Sequence, residues 1–315
     1  MTATQPGGSA HDAPIQIPVR APFDLRLTVS ALRRLPHAAL YPLVDGEWRF
    51  VAPLPSGPRL LAVRSLDARD PAASLRCVAL VGALSDEDGR AAATLIGWML
   101  DTQRDLAPLA ALVGDEEPLA TLARRLAGMK PPRFASLWEA FCQIVPFQQV
   151  SLSAAVATLN RFVVALGSSL EFEGSGYWGV PSPQRIASVP EEEMRACGLS
   201  AAKARTLRGL AERALAGELE ASAYATLTDE EAIASLTRLP GIGRWSAQVA
   251  LLRGLGRLSV FPAGDSGAAR GLREVFAESA QPEATALATL ERLRDWRGYL
   301  YFLLLGRRFL EDEPR

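Results

Sequence analysis

One acid stands apart in the stretch of the chain best equipped for chemistry. Between Ala232 and Gly264 lie four arginines, Arg238, Arg244, Arg253 and Arg257, and no aspartate or glutamate. Val260-Phe-Pro-Ala-Gly-Asp265 then ends an apolar loop, broken by proline and glycine, on a carboxylate. A carboxylate at the edge of an apolar pocket can stabilise positive charge developing on a substrate and orient or deprotonate a water. Ser266 to Phe276 looks helical, so Asp265 also reads as an ordinary helix N-cap.

The residues before the loop supply a second kind of chemistry. Thr228-Asp-Glu-Glu231 has capping-box spacing and predicts a helix running to Arg238. Leu239-Pro240-Gly241-Ile242-Gly243 stops it, because proline blocks helix continuation and glycine reaches backbone angles closed to other residues. Arg244-Trp-Ser-Ala-Gln-Val-Ala-Leu-Leu restarts a helix. A tight hairpin between two helices exposes unpaired amides at the second N-terminus, and these favour a phosphate oxygen. The local arginine excess of +4 in a chain of net charge -1 points the same way, towards a DNA backbone. A plain structural turn is the competing reading of Gly-x-Gly.

The whole run LPGIGRWSAQVALLRGLGRLSVFPAGD resembles the signature of the helix-hairpin-helix superfamily of DNA glycosylases, most closely its bacterial DNA-3-methyladenine glycosylase II branch. FCQIVPFQQVSLSAA, Gly198 to Leu210 and Trp296 to Tyr299 extend the match, and Ala21-Pro-Phe-Asp extends it more weakly, over about residues 20 to 310. The resemblance implies a monofunctional glycosylase of base excision repair. It would flip a damaged base, an N-alkylated purine such as 3-methyladenine, out of duplex DNA and cleave its N-glycosidic bond with Asp265.

On the same basis Gln148 and Gln149 match the loop that fills the gap left by the base. Gly241, Gly243, Arg244, Ser246 and Arg270 fall to the DNA backbone, and Trp245, Phe147, Trp296 and Tyr299 to the base pocket. Carbonyls at Leu239 and Gly241 would hold a structural monovalent cation, and no other cofactor is required. Trp245 occupies the position where lyase members carry a lysine, so a Schiff base and backbone cleavage are not expected. Its indole would stack on a cationic base, although core packing is the alternative for Trp245 and, more so, for Trp296 and Tyr299. Val249 and Leu305 replace aromatic residues of the bacterial pocket, which predicts a less aromatic site.

The elements that must position these groups follow from patterning. Residues 1–18 are small, polar and rich in Pro and Gly, which predicts a flexible tail. From Phe23 to Leu84, short alternating runs such as FDLRLTV, GEWRFVAPL and LRCVALVGAL predict antiparallel strands. Ser85 starts a long helix. From about Pro118 the pattern is helical, with loops near Gly174 to Pro183 and Gly256 to Gly264. The expected fold is α+β: an N-terminal α/β domain at 19–113, then a helical domain at 114–315 holding the helix-hairpin-helix (228–255) and the catalytic loop (260–266).

Composition narrows the class further. Scattered Cys77, Cys142 and Cys197, with only His11 and His37, argue against a zinc site and a disulfide framework, and three cysteines cannot supply a four-thiolate cluster. Lys130 and Lys203 are the only lysines, and neither is near the motif in sequence. No apolar run reaches the roughly 20 residues of a membrane span. A cytoplasmic, nucleoid-associated bacterial protein is expected, acting as a monomer on double-stranded DNA containing a damaged base. The other readings left open are a glycosylase for deaminated or oxidised bases and a damage-binding protein without catalysis.

Overall fold

Alternation along the N-terminal third builds one antiparallel sheet. A computed structural model of the chain describes residues 14–311 apart from 34, 67–73 and 116. Strands β1 (Ile15–Pro18), β2 (Leu43–Val44), β3 (Glu47–Leu54), β4 (Gly57–Ser65) and β5 (Ser74–Val81) lie in the order β1-β5-β4-β3-β2. Asp45 and Gly46, both at positive φ (51° and 78°), turn β2 into β3 as a two-residue turn of the type that matches strand twist.

Three local expectations are corrected. Ile15–Pro18, assigned to the tail, pairs with β5 because Ile17 faces inward and is buried opposite Leu75. FDLRLTV, expected as strand, is mostly helix: Leu25–Arg33 is helical, with the Leu27 amide donating to Asp24 Oδ1 at 2.7 Å. Its buried Leu25, Thr28, Val29 and Leu32 follow a helical period that a short alternating run can imitate. A hairpin of β6 (Ser169–Phe172) and β7 (Ser175–Trp178) interrupts the helical region and turns at Glu173 and Gly174, again both at positive φ.

The helix Asp86–Leu100 begins with a capping box between Ser85 and Asp88. Asp88 also accepts from the Ser56 amide and hydroxyl in the β3–β4 turn, bonds that hold its carboxyl well below the usual range. The helix is thereby pinned to the sheet. The sheet's Trp48, Phe50 and Leu61 share one continuous core with Phe134, Phe141 and Phe162 from the helical region. A second core gathers Leu109 and Val113 with the C-terminal helix Arg297–Glu311, whose Tyr299 to Leu304 are all buried. None of the described helices is long and apolar enough to cross a membrane.

Candidate active site

The hairpin forms as its residues require. Thr228 and Glu231 complete a capping box on Asp229–Thr237, and the second helix, Arg244–Gly254, starts from Gly243, which has no side chain to cap it. Its first amides therefore lack intrahelical acceptors and point outwards. Gly241 needs to be glycine: its φ is +82°, and a Cβ there would lie 2.0 Å from Thr206 Oγ1. Gly243 does not need to be for the fold, since a Cβ would meet nothing within 4 Å.

Asp265 is the N-cap of the helix Ser266–Val275, its Oδ1 accepting from the Ala268 amide at 2.9 Å. Its Oδ2 accepts from Trp245 Nε1 at 3.1 Å. The cap and the reactive acid are thus the same group, half-buried, with both oxygens oriented by donors. It opens into a cleft of about 1530 Å³ that also takes in Phe147, Gln148, Gln149, Gly241, Gly243, Arg244, Trp245 and Arg270.

Two members of the expected pocket lie elsewhere. The Tyr299 hydroxyl donates to Met129 O, and Trp296 packs edge-on against Tyr299 with Arg104 over its ring. Both face away because the C-terminal helix turns another stripe to the cleft: Tyr301, Leu305, Arg308 and Phe309, spaced at helical intervals. Val249 is fully buried in the core and does not line the cleft. Arg308 escaped the sequence reading. A Cβ on Gly267 would lie 3.1 Å from Asp265 Oδ1 and 3.7 Å from Arg308 Nη2, so this glycine keeps a small gap between acid and guanidinium. The periodicity of YLYFLLLGRRF held the signal.

The arginines around the hairpin point in different directions. Arg253 is fully buried, its Nη2 donating to Ala31 O and Leu32 O at 3.0 Å with its guanidinium over Phe134. Arg257 is tied to Asp229 and to Tyr224 O. Arg244 pairs with Glu230 at 2.8 Å, but both side chains are exposed, and such pairs are weak enough for a phosphate to replace the carboxylate. Charge counted along the sequence overstated the DNA-facing charge, because side chains of a helix point in all directions. The cleft's cations are Arg244, Arg270, Arg308 and Lys203.

Lys203, distant from the motif in sequence, is brought to the cleft by the helix Ala201–Leu215 and donates to Pro146 O at 3.1 Å. Burial lowers its pKa. Lys130 is buried elsewhere and donates to Arg104 O. Ser246 is buried, its hydroxyl accepting from Gln148 Nε2 at 3.0 Å.

Gln148 Nε2 also donates to Gly241 O at 2.9 Å, and Leu239 O accepts from the Ile242 amide at 3.0 Å. Each of the two carbonyls expected to hold a cation accepts one hydrogen bond, and at Gly241 O the donor is the positive N–H edge of the Gln148 amide, which opposes a cation on that side. Among the described residues no group of three or more His, Cys, Asp or Glu side chains is placed to hold a metal.

The chain also has known relatives. Residues 142–295 match the family described as HhH-GPD superfamily base excision DNA repair protein. A DNA-3-methyladenine glycosylase of Bacillus subtilis is 27% identical over 205 residues, 65% of this chain and 68% of that protein. DNA-3-methyladenine glycosylase 1 of Schizosaccharomyces pombe is 34% identical over 166 residues, 51% of this chain and 69% of that protein. The solved structure of a 3-methyladenine DNA-glycosylase from Archaeoglobus fulgidus superposes with a TM-score of 0.77 at 24% identity, covering 94% of this chain and 99% of that one, which establishes the shared fold.

Proposed function

The chain belongs to the HhH-GPD superfamily of base excision DNA repair proteins, and from that premise we propose that it is a monofunctional DNA glycosylase. It hydrolyses the N-glycosidic bond of N-alkylated purines such as 3-methyladenine in double-stranded DNA and leaves the backbone uncut. The observation that carries this reading is the Asp265 carboxylate, fixed by Trp245 and the Ala268 amide in a cleft that also holds the open end of the hairpin.

The hairpin amides and Arg244 grip phosphates on one side of the lesion, while Gln149 enters the space that the flipped base vacates. The base turns into the cleft towards Trp245 and Phe147. As the bond to the sugar breaks, positive charge grows on the sugar ring, and Asp265 lies where a carboxylate stabilises it and orients the attacking water. Because both oxygens are already oriented, little reorganisation is needed during the reaction. Methylation at a purine ring nitrogen leaves the base positively charged, so it departs without strong protonation and is attracted by the indole face.

Water is the second substrate, so the reaction needs no cofactor. Trp245 stands at the hairpin position where a lyase needs an amine, and it cannot form a Schiff base. The names of the Bacillus and Schizosaccharomyces relatives support alkylated purines as the substrate class.

The test is base release from methylated, deaminated and oxidised duplexes, each run with and without alkaline cleavage of the product. Release confined to methylated DNA, with strand breaks only after alkali, is expected. Strand breaks without alkali, or release only from deaminated or oxidised DNA, overturns the reading.

A further inference from the structure

A side chain holds the hairpin carbonyl that the family resemblance assigned to a cation. Gln148 Nε2 bonds both Gly241 O in the turn (2.9 Å) and Ser246 Oγ in the first turn of the second helix (3.0 Å). Gln148 belongs to a different part of the chain, the loop that follows the single turn Val145–Phe147, and its own amide bonds Val145 O at 3.3 Å. The next residue, Gln149, is exposed at the cleft with a left-handed φ of 54°, a conformation a non-glycine residue keeps only when its surroundings impose it. From the other side, Lys203 Nζ holds Pro146 O at 3.1 Å.

We infer that Gln148 is a positioning residue that takes the place of a hairpin cation, fastening the loop that carries Gln149 to the phosphate-gripping turn so that grip and wedge act as one unit. The inference rests on the DNA glycosylase reading above. A monovalent cation at Gly241 O would need an open cluster of oxygens, whereas the amide presents both of its hydrogens to the oxygens available there. Turned end over end, the Gln148 amide would set Oε1 against Gly241 O at the same 2.9 Å, an arrangement that only a bridging cation would hold. The two arrangements therefore differ in whether the identity of the salt cation matters.

The experiment measures affinity for a duplex containing one abasic site at a single ionic strength, in potassium, sodium and tetramethylammonium chloride. Tetramethylammonium screens charge but is too large and too apolar for carbonyl ligation. Wild-type affinity is expected to agree within about twofold across the three salts. Gln148→Met, which keeps the side-chain length and loses both donors, is expected to bind about tenfold more weakly in tetramethylammonium, the loss of roughly two hydrogen bonds. Gln149→Ala should weaken binding equally in all three salts.

A wild-type protein that binds about tenfold more weakly once potassium and sodium are removed overturns the inference, and that arm needs no variant. So does Gln148→Met binding as wild type in every salt. If the wild type binds the abasic duplex in none of them, the glycosylase reading fails instead.

Discussion

Trp245 Nε1 donates to Asp265 Oδ2 at 3.1 Å while the Ala268 amide donates to Oδ1 at 2.9 Å. The residue expected to stack on the base therefore also aims the acid. The spare lone pairs of the carboxylate remain for water and for the sugar cation.

Trp245→Phe separates these roles, because it keeps an aromatic face and removes the N–H. A hydrogen bond to a charged group contributes about 1.5 to 3 kcal/mol, so the single-turnover rate of base release should fall by roughly tenfold to a hundredfold. Affinity for an abasic duplex should change little. A variant with the wild-type rate would show that the indole N–H does not aim the acid.

Much of this site was legible in the sequence, for physical reasons that are local. The Thr228–Glu231 capping box, the Pro240 break, the positive φ of Gly241 and the Asp265 N-cap each depend on residues within one turn of chain, and each is present. What local pattern cannot supply is direction and long-range closure. Trp296 and Tyr299 sit on the C-terminal helix but on a face turned to Met129 and Arg104. Arg253 is on the hairpin helix and buried. Lys203 and Arg308 reach the cleft from segments well away from the hairpin in sequence.

The two hairpin glycines should fail differently. Gly241→Ala adds a left-handed penalty and a clash with Thr206, so it should lower stability by roughly 1 to 3 kcal/mol. Gly243→Ala has ordinary φ and free space, and should melt close to wild type while binding DNA more weakly, since its methyl group stands at the helix end a phosphate approaches. Thermal melting alongside abasic-duplex affinity distinguishes them; equal behaviour would contradict a phosphate-binding role for the hairpin.

Salt dependence separates the arginines. Arg270 is exposed on the cleft, and Arg270→Ala should reduce the slope of log affinity against log salt by about 0.9, the value of one lost phosphate contact. Arg253→Met should leave that slope unchanged and destabilise the fold by ~2 kcal/mol or more, because two buried carbonyls lose their donor. An altered salt slope in Arg253→Met would return that residue to the DNA face.

Glu139 makes stability depend on pH. Burial pushes its carboxyl up to about 7, against the hydrogen bonds from Tyr41 and Gln143 that favour the charged form. Between the usual glutamate range and about 7, the folded protein holds a proton at Glu139 that the unfolded chain has released. Glu139 therefore makes stability fall as pH rises through that window, and above it the full cost of a buried carboxylate is present. Glu139→Gln should narrow the difference in Tm between pH 5.5 and pH 8. An unchanged difference would assign the dependence to other groups.

The central claim is that Asp265 performs the bond cleavage, and the most direct measurement is single-turnover release of 3-methyladenine from methylated duplex DNA by Asp265→Asn. The asparagine keeps the size of the side chain and, through Oδ1, an acceptor for the Ala268 amide, but its NH2 group cannot accept from Trp245 Nε1 and the neutral amide cannot stabilise positive charge as a carboxylate does. The predicted result is loss of release by several orders of magnitude with abasic-duplex affinity retained. Release at the wild-type rate by Asp265→Asn would contradict the account.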